Sequence, residues 1–69
     1  MTPEDAVLRV LADAEEPLHW TVIQDRALRA GYLDPFETPD VRGEVLGALR
    51  AAVADGRVTK PAKGTYALA

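Results

Sequence analysis

Apolar residues along this chain recur at three- and four-residue steps in three stretches and then give way to short runs near the C terminus, and this change of period marks out the elements. Val7, Leu8, Leu11 and Ala14 give a first helix, about residues 3–14, one buried face. Its start is written in Thr2-Pro3-Glu4-Asp5: a threonine cap, a proline at the first helical position, and acids at the positive end of the helix dipole. Glu15-Glu16-Pro17 ends it. Leu18-His19-Trp20 is too short for a helix and reads as a brief extended segment, residues 18–20. The Thr21-x-x-Gln24 spacing is that of a capping box and predicts a second helix, about residues 22–30, which buries Ile23 and Ala27 with Leu28 beside them and stops at Gly31 in the C′ position.

Tyr32 to Glu37 then form a loop, in which Asp34-Pro35 resists helix because the proline ring crowds the residue before it. Thr38-Pro39-Asp40 repeats the first helix start and opens the longest helix, about residues 39–54. Val41, Val45, Leu49, Ala52 and Val53 share one side of its wheel, with Leu46 at the border. Beyond Gly56, Val58-Thr59 and Thr65-Tyr66 with Leu68 are two β-prone runs, about residues 57–68, whose connection holds Pro61 and Gly64 as a hairpin needs. The predicted order is helix, short strand, helix, helix, hairpin. It describes a single domain over residues 1–69, mainly α with a small β-hairpin (α+β), in the order of a winged helix-turn-helix with a C-terminal wing.

Charge divides this domain. Arg42, Arg50, Arg57, Lys60 and Lys63 against Glu44 and Asp55 give residues 42–69 a net charge of +3, whereas Arg9, Arg26 and Arg29 against nine carboxylates give residues 1–41 a net charge of −6. A basic third helix and wing on an otherwise acidic chain fit one face that meets a polyanion, with double-stranded DNA the first candidate. The total of −3 and a pI near 4.9 make this a small acidic domain, below the basic range of a dedicated DNA-binding module, so its affinity alone is expected to be modest. With no cysteine there is neither a disulfide framework nor a thiolate zinc site. No apolar run approaches a membrane span and the acidic start is unlike a signal peptide, so no membrane role and a cytoplasmic setting are expected, nucleoid-associated if DNA is the partner. A chain of this length reads either as a whole small protein or as one domain of a larger one.

Several local motifs narrow the fold further: Glu16-Pro17-Leu18-His19-Trp20 after the opening helix, the Thr38-Pro39 pair, Gly56-Arg57-Val58, and the closing Lys63-Gly64-Thr65-Tyr66-Ala67-Leu68. In these pieces, which span nearly the whole length, the chain resembles the HARE-type winged helix-turn-helix (HARE-HTH) family, which includes the N-terminal domain of the bacterial RNA polymerase delta subunit. The resemblance implies a DNA-binding or transcription-associated module, often one domain of a larger protein. The loop from Tyr32 to Glu37 departs from the three- or four-residue turn of a minimal helix-turn-helix.

In a helix-turn-helix the second helix of the motif lies in the major groove, here the helix from Pro39 to Ala54. Opposite its apolar stripe lie Gly43, Gly47, Arg50 and Ala54, flanked by Glu44 and Ala51. Arg50 is the side chain on that face able to make a bidentate contact to guanine, joined by Arg42 if the helix start is exposed. The chain has no asparagine or serine and a single glutamine, Gln24, so rich base readout is not expected. Gly43 and Gly47 each cost about 1 kcal/mol of helix stability relative to alanine, which has two readings: close approach of a DNA or protein backbone, or relief of crowding inside the fold. Arg57, Lys60 and Lys63 in and beside the wing turn are placed to meet phosphates, the alternative being a solvated hairpin kept soluble by its lysines. Arg9, Arg26 and Arg29 are interspersed with acids and receive no role.

His19 has no second histidine or cysteine with which to bind a metal, and it is expected to start the short strand while Trp20 packs over the hairpin or the third helix. Glu37, Asp40 and Glu44 are accounted for as partners of the helix dipole, although three acids there also repel phosphate. No serine or cysteine nucleophile and no phosphate-binding glycine loop is present, so no catalytic residue, cofactor or enzymatic role is expected. Two partner classes remain. One is DNA, held by Arg42, Gly43, Gly47, Arg50, Arg57, Lys60 and Lys63; the other is a protein, such as a transcription complex or a larger parent chain, docked on the Gly43, Gly47, Ala51 and Ala54 face.

Overall fold

A computed structural model describes residues 1–69 and shows three helices and a three-stranded antiparallel sheet, a small winged-helix-like α+β fold. Helix α1 (Pro3–Asp13) begins as its sequence predicts, with Thr2 Oγ1 accepting the Asp5 N–H at 3.1 Å and Pro3 in the first turn. Its buried face is Ala6, Val7, Val10 and Leu11. Leu8 and Ala14, expected at its centre, are only partly buried, because α1 packs against α2, α3 and the sheet together and its apolar stripe is turned toward Ala6 and Val10 to meet them.

Strand β1 (Leu18–His19) is one residue shorter than expected, and Trp20 already belongs to helix α2 (Trp20–Arg29). The predicted capping box does not form: His19 is the N-cap, its Nδ1 accepting the Thr21 N–H at 3.3 Å, and Thr21 lies within the first turn. Sheet pairing is the cause. Leu18 and His19 are held extended opposite Tyr66 and Thr65, and the Trp20 N–H donates to the Gly64 carbonyl at 2.9 Å, so the chain turns into the helix as it leaves the sheet. Ile23 and Ala27 are buried with Leu28 at the border, and Gly31 follows the Ala30 C-cap, with the Gly31 and Tyr32 N–H groups returning to Leu28 and Ala27 in a Schellman motif.

Helix α3 (Val41–Ala54) starts two residues later than predicted, with Asp40 and not Thr38 as its cap. The Thr38 N–H is bonded to the Asp34 carbonyl at 2.8 Å, which holds residues 34–38 in a turn, while Asp40 Oδ1 accepts the Gly43 N–H at 3.1 Å. Pro39 therefore precedes the cap. Val45, Ala48, Leu49 and Ala52 are buried and Val41 is half-buried. Val53, assigned to this stripe, is 37 % exposed; one residue beyond Ala52 carries it around the helix, and Ala48 completes the seam.

Strands β2 (Val58–Ala62) and β3 (Thr65–Leu68) form the wing around a Lys63-Gly64 turn, and the strand order β1-β3-β2 puts β3 in the middle. The register runs from Val58 opposite Leu68 to Ala62 opposite Thr65, with a bulge between Thr59 and Ala62. Pro61 lies in that bulge on an edge strand, where its missing N–H costs no ladder bond. Val58 and Tyr66 are buried and join the wing to a core centred on Val7, Ile23, Val45 and Leu49.

Candidate nucleic-acid interface

The outer side of α3 is the exposed face its sequence predicts, with Gly43, Glu44, Gly47, Arg50, Ala51 and Ala54 all at the surface. Its two glycines have different jobs. A Cβ on Gly43 would collide with Asp40 Oδ2 and lie 2.7 Å from its Cγ, so glycine there makes room for the capping carboxylate. A Cβ on Gly47 would meet nothing within 4 Å, which leaves this position open to something from outside. The small side chain at 43 thus answers a need within the fold, and close approach is left to Gly47.

Basic residues divide in a similar way. Arg9 pairs with Asp13 at 3.7 Å and Arg29 with Asp25 at 3.0 Å, each one helical turn apart. Arg57, expected among the phosphate ligands, is held by two carboxylates, Asp55 at 3.0 Å and Glu4 at the start of α1. The backbone imposes this. Gly56, at φ +77°, closes α3 in a Schellman motif, and the Arg57 N–H returns to the Ala52 carbonyl at 3.0 Å, aiming the side chain back across the helix ends. The hydrogen bond that Arg57 donates to Asp55 and the negative charge of Glu4 raise the Arg57 pKa further above its already high value, so this guanidinium stays charged and occupied. Arg26, Arg42, Arg50, Lys60 and Lys63 have no carboxylate within 4 Å.

Trp20 gathers part of this free set into one place. Its ring lies 5.3 Å beneath the Arg42 guanidinium and 5.7 Å from the His19 ring, while its backbone N–H is bonded to Gly64 in the wing turn. Gly64, at φ +72°, has no space for a side chain: a Cβ would sit 2.9 Å from His19 Nε2 and 3.5 Å from Trp20 Cδ1. The first turn of α3 and the wing turn therefore meet a common aromatic pair, through Arg42 over Trp20 and through Gly64, the neighbour of Lys63 in the turn, against His19. Lys60 lies 5.9 Å above the Tyr66 ring, and Arg50 stands on α3 two turns beyond Arg42, about 12 Å along its axis. Sequence reasoning assigned Trp20 a packing role and missed its contact with Arg42. The available signal was that the chain's single tryptophan stands beside His19 at a helix entry.

Carboxylates border this surface. Asp40 is engaged in the α3 cap, Glu44 lies in the first turn and Glu37 is in the preceding loop, all exposed. The largest surface cavity, about 510 Å³, lies elsewhere, lined by Asp13, Ala14, Glu15, Glu16, Leu18 and Arg26, with no residue of α3 or the wing. No helix is long and apolar enough to cross a membrane. Searches against protein-family models, curated proteins and solved structures find no match to this chain.

Proposed function

We propose that this domain is a DNA-binding winged-helix module, transcription-associated or serving to target a larger protein. In this reading the α3 face approaches the major groove and the wing rests on the phosphate backbone. One observation carries it. Three of the eight basic side chains are paired with carboxylates, and four of the five that are not, Arg42, Arg50, Lys60 and Lys63, lie on α3 and the wing. Lys60 and Lys63 supply sequence-independent phosphate contacts. Arg42 and Arg50 are the side chains able to read guanine, and Gly47 lets the backbone of α3 come close.

A second reading uses the same fold to dock a protein on the Gly43, Gly47, Ala51 and Ala54 face, favoured by the net charge of −3 and by the acids around the start of α3. Titration with a mixed-sequence DNA duplex, followed by Trp20 fluorescence and amide shifts at two salt concentrations, separates the two. Through about two to three phosphate contacts the DNA affinity falls by roughly two to three decades per decade of salt. Shifts gather at Arg42 to Arg50 and at Lys60 to Gly64. No shift and no fluorescence change at low salt would sink the DNA reading. Gly47→Leu blocks close approach to α3 by either partner, yet leaves residual wing binding only if the partner is DNA.

A further inference from the structure

Away from the α3 and wing cations, the most conspicuous side chain is Phe36. It is 93 % exposed, against 66 % for Met1, the next most exposed large apolar residue. One exposed apolar side chain is ordinary on a protein surface, but the turn beneath this one is fixed. The Asp34 carbonyl accepts the Glu37 N–H at 3.1 Å and the Thr38 N–H at 2.8 Å, Asp34 Oδ1 accepts the Phe36 N–H at 2.9 Å, and Leu33 anchors the loop in the core. Phe36 thus projects from a closed turn. Residues 30–41 carry Asp34, Glu37 and Asp40 and no basic residue, so the charges of the loop that presents the knob are all negative.

Next to this acidic knob stands its complement. The loop ends at the Asp40 cap, and two residues later Arg42 lies over the Trp20 ring beside the wing turn that carries Lys63. An apolar, acidic half and an aromatic, cationic half flank the same helix start. A surface that carries both halves of a contact is self-complementary under a two-fold axis, where residue i of one copy meets residue j of the other and the reverse.

We infer that this face pairs with a second copy of the chain, Phe36 of each protomer packing on the Trp20 and Arg42 pair of the other while Asp34 and Glu37 face Lys63 and Arg42. An aromatic ring placed on a cation–aromatic pair adds stacking to burial, and the opposed charges set the orientation. The contact is small, so the dimer is weak and forms at high concentration. It covers Arg42 and Lys63, so self-association draws on cations that a polyanion would also use.

Sedimentation velocity of the full chain in a dilution series from about 1 mM to about 10 μM, without nucleic acid, tests this apart from the DNA reading. The expected result is a sedimentation coefficient that rises with concentration and rises less at high salt. Phe36→Ala shifts the association midpoint by about tenfold or more and leaves thermal unfolding unchanged, since Phe36 is 93 % exposed in its own chain. Glu37→Lys and Lys63→Glu each weaken association and restore it when combined in one chain, because the charges then meet again across the two-fold. A monomer at every concentration, a Phe36→Ala chain that associates like the parent, or a double variant weaker than both single ones would each overturn the inference.

Discussion

The wing has a root and a tip, and they treat positive charge in opposite ways. At the root, Arg57 is tied to Asp55 and Glu4, and Val58 is 2 % exposed, so this end belongs to the core and to the helix termini. Toward the tip, Lys60 and Lys63 have no carboxylate partner and flank a bulge and a turn that give the backbone little burial. A formal charge is available to a partner only where the fold has not already used it, and here the division falls within a few residues. The glycines of α3 repeat the lesson: Gly43 is occupied by the Asp40 cap and Gly47 is open.

The buried face of the wing responds most strongly to change. Tyr66→Ala removes a buried ring from the middle strand and is expected to cost about 3 kcal/mol, which for a domain of this size lowers Tm by more than about 10 °C. A Tm within a few degrees of the parent would mean that the wing is not anchored in the core. Lys60→Glu with Lys63→Glu reverses the pattern. At low salt the DNA affinity is expected to fall about a hundredfold while Tm stays within the change of about 0.5 kcal/mol typical of surface substitutions. An affinity left unchanged would remove the tip from the interface.

The two glycines sharpen the comparison at smaller magnitude. Gly47→Ala replaces an exposed helical glycine where a Cβ meets nothing, and is expected to stabilise by up to about 1 kcal/mol. Gly43→Ala has the same propensity gain but displaces the capping carboxylate, worth about 1 kcal/mol, so its net effect is close to zero. Chemical denaturation of the two variants reads the difference directly. Equal stabilisation would show that Asp40 does not depend on the empty position at 43.

Local signals were legible where nothing distant competed with them. Thr2-Pro3 starts α1 as written, and Gly31 follows α2 as a C′ glycine should. The similar Thr38-Pro39 does not start α3, because Asp34 has already claimed the Thr38 N–H and Asp40 caps the helix with its carboxylate. The start of α2 was hidden for a longer-range reason: Trp20 is bonded to Gly64, and no periodicity around residue 20 reports on a turn over forty residues away. In the candidate site, the exposed α3 face and the basic turn were readable from spacing and charge. The Arg57 pairing with Glu4, 53 residues apart, and the Arg42 contact with Trp20 were not, since both arise only when the helices and the wing have packed.

The smallest expected effect is the most discriminating. Arg57→Ala removes one of the five cations that give residues 42–69 their positive charge, so an account based on formal charge alone predicts a loss of DNA affinity like that of Lys63→Ala. The geometry predicts otherwise, because the Arg57 guanidinium already faces Asp55 and Glu4 and contributes little field toward a phosphate. DNA affinity at low salt is expected to stay within about twofold of the parent, and the slope of affinity against salt to be unchanged, whereas Lys63→Ala reduces that slope by about one. Thermal stability should fall slightly, by an amount that shrinks as salt screens the exposed ion pairs. A reduced salt slope in Arg57→Ala would mean that the pairing with Glu4 and Asp55 yields to phosphate, and the root of the wing would then belong to the interface along with its tip.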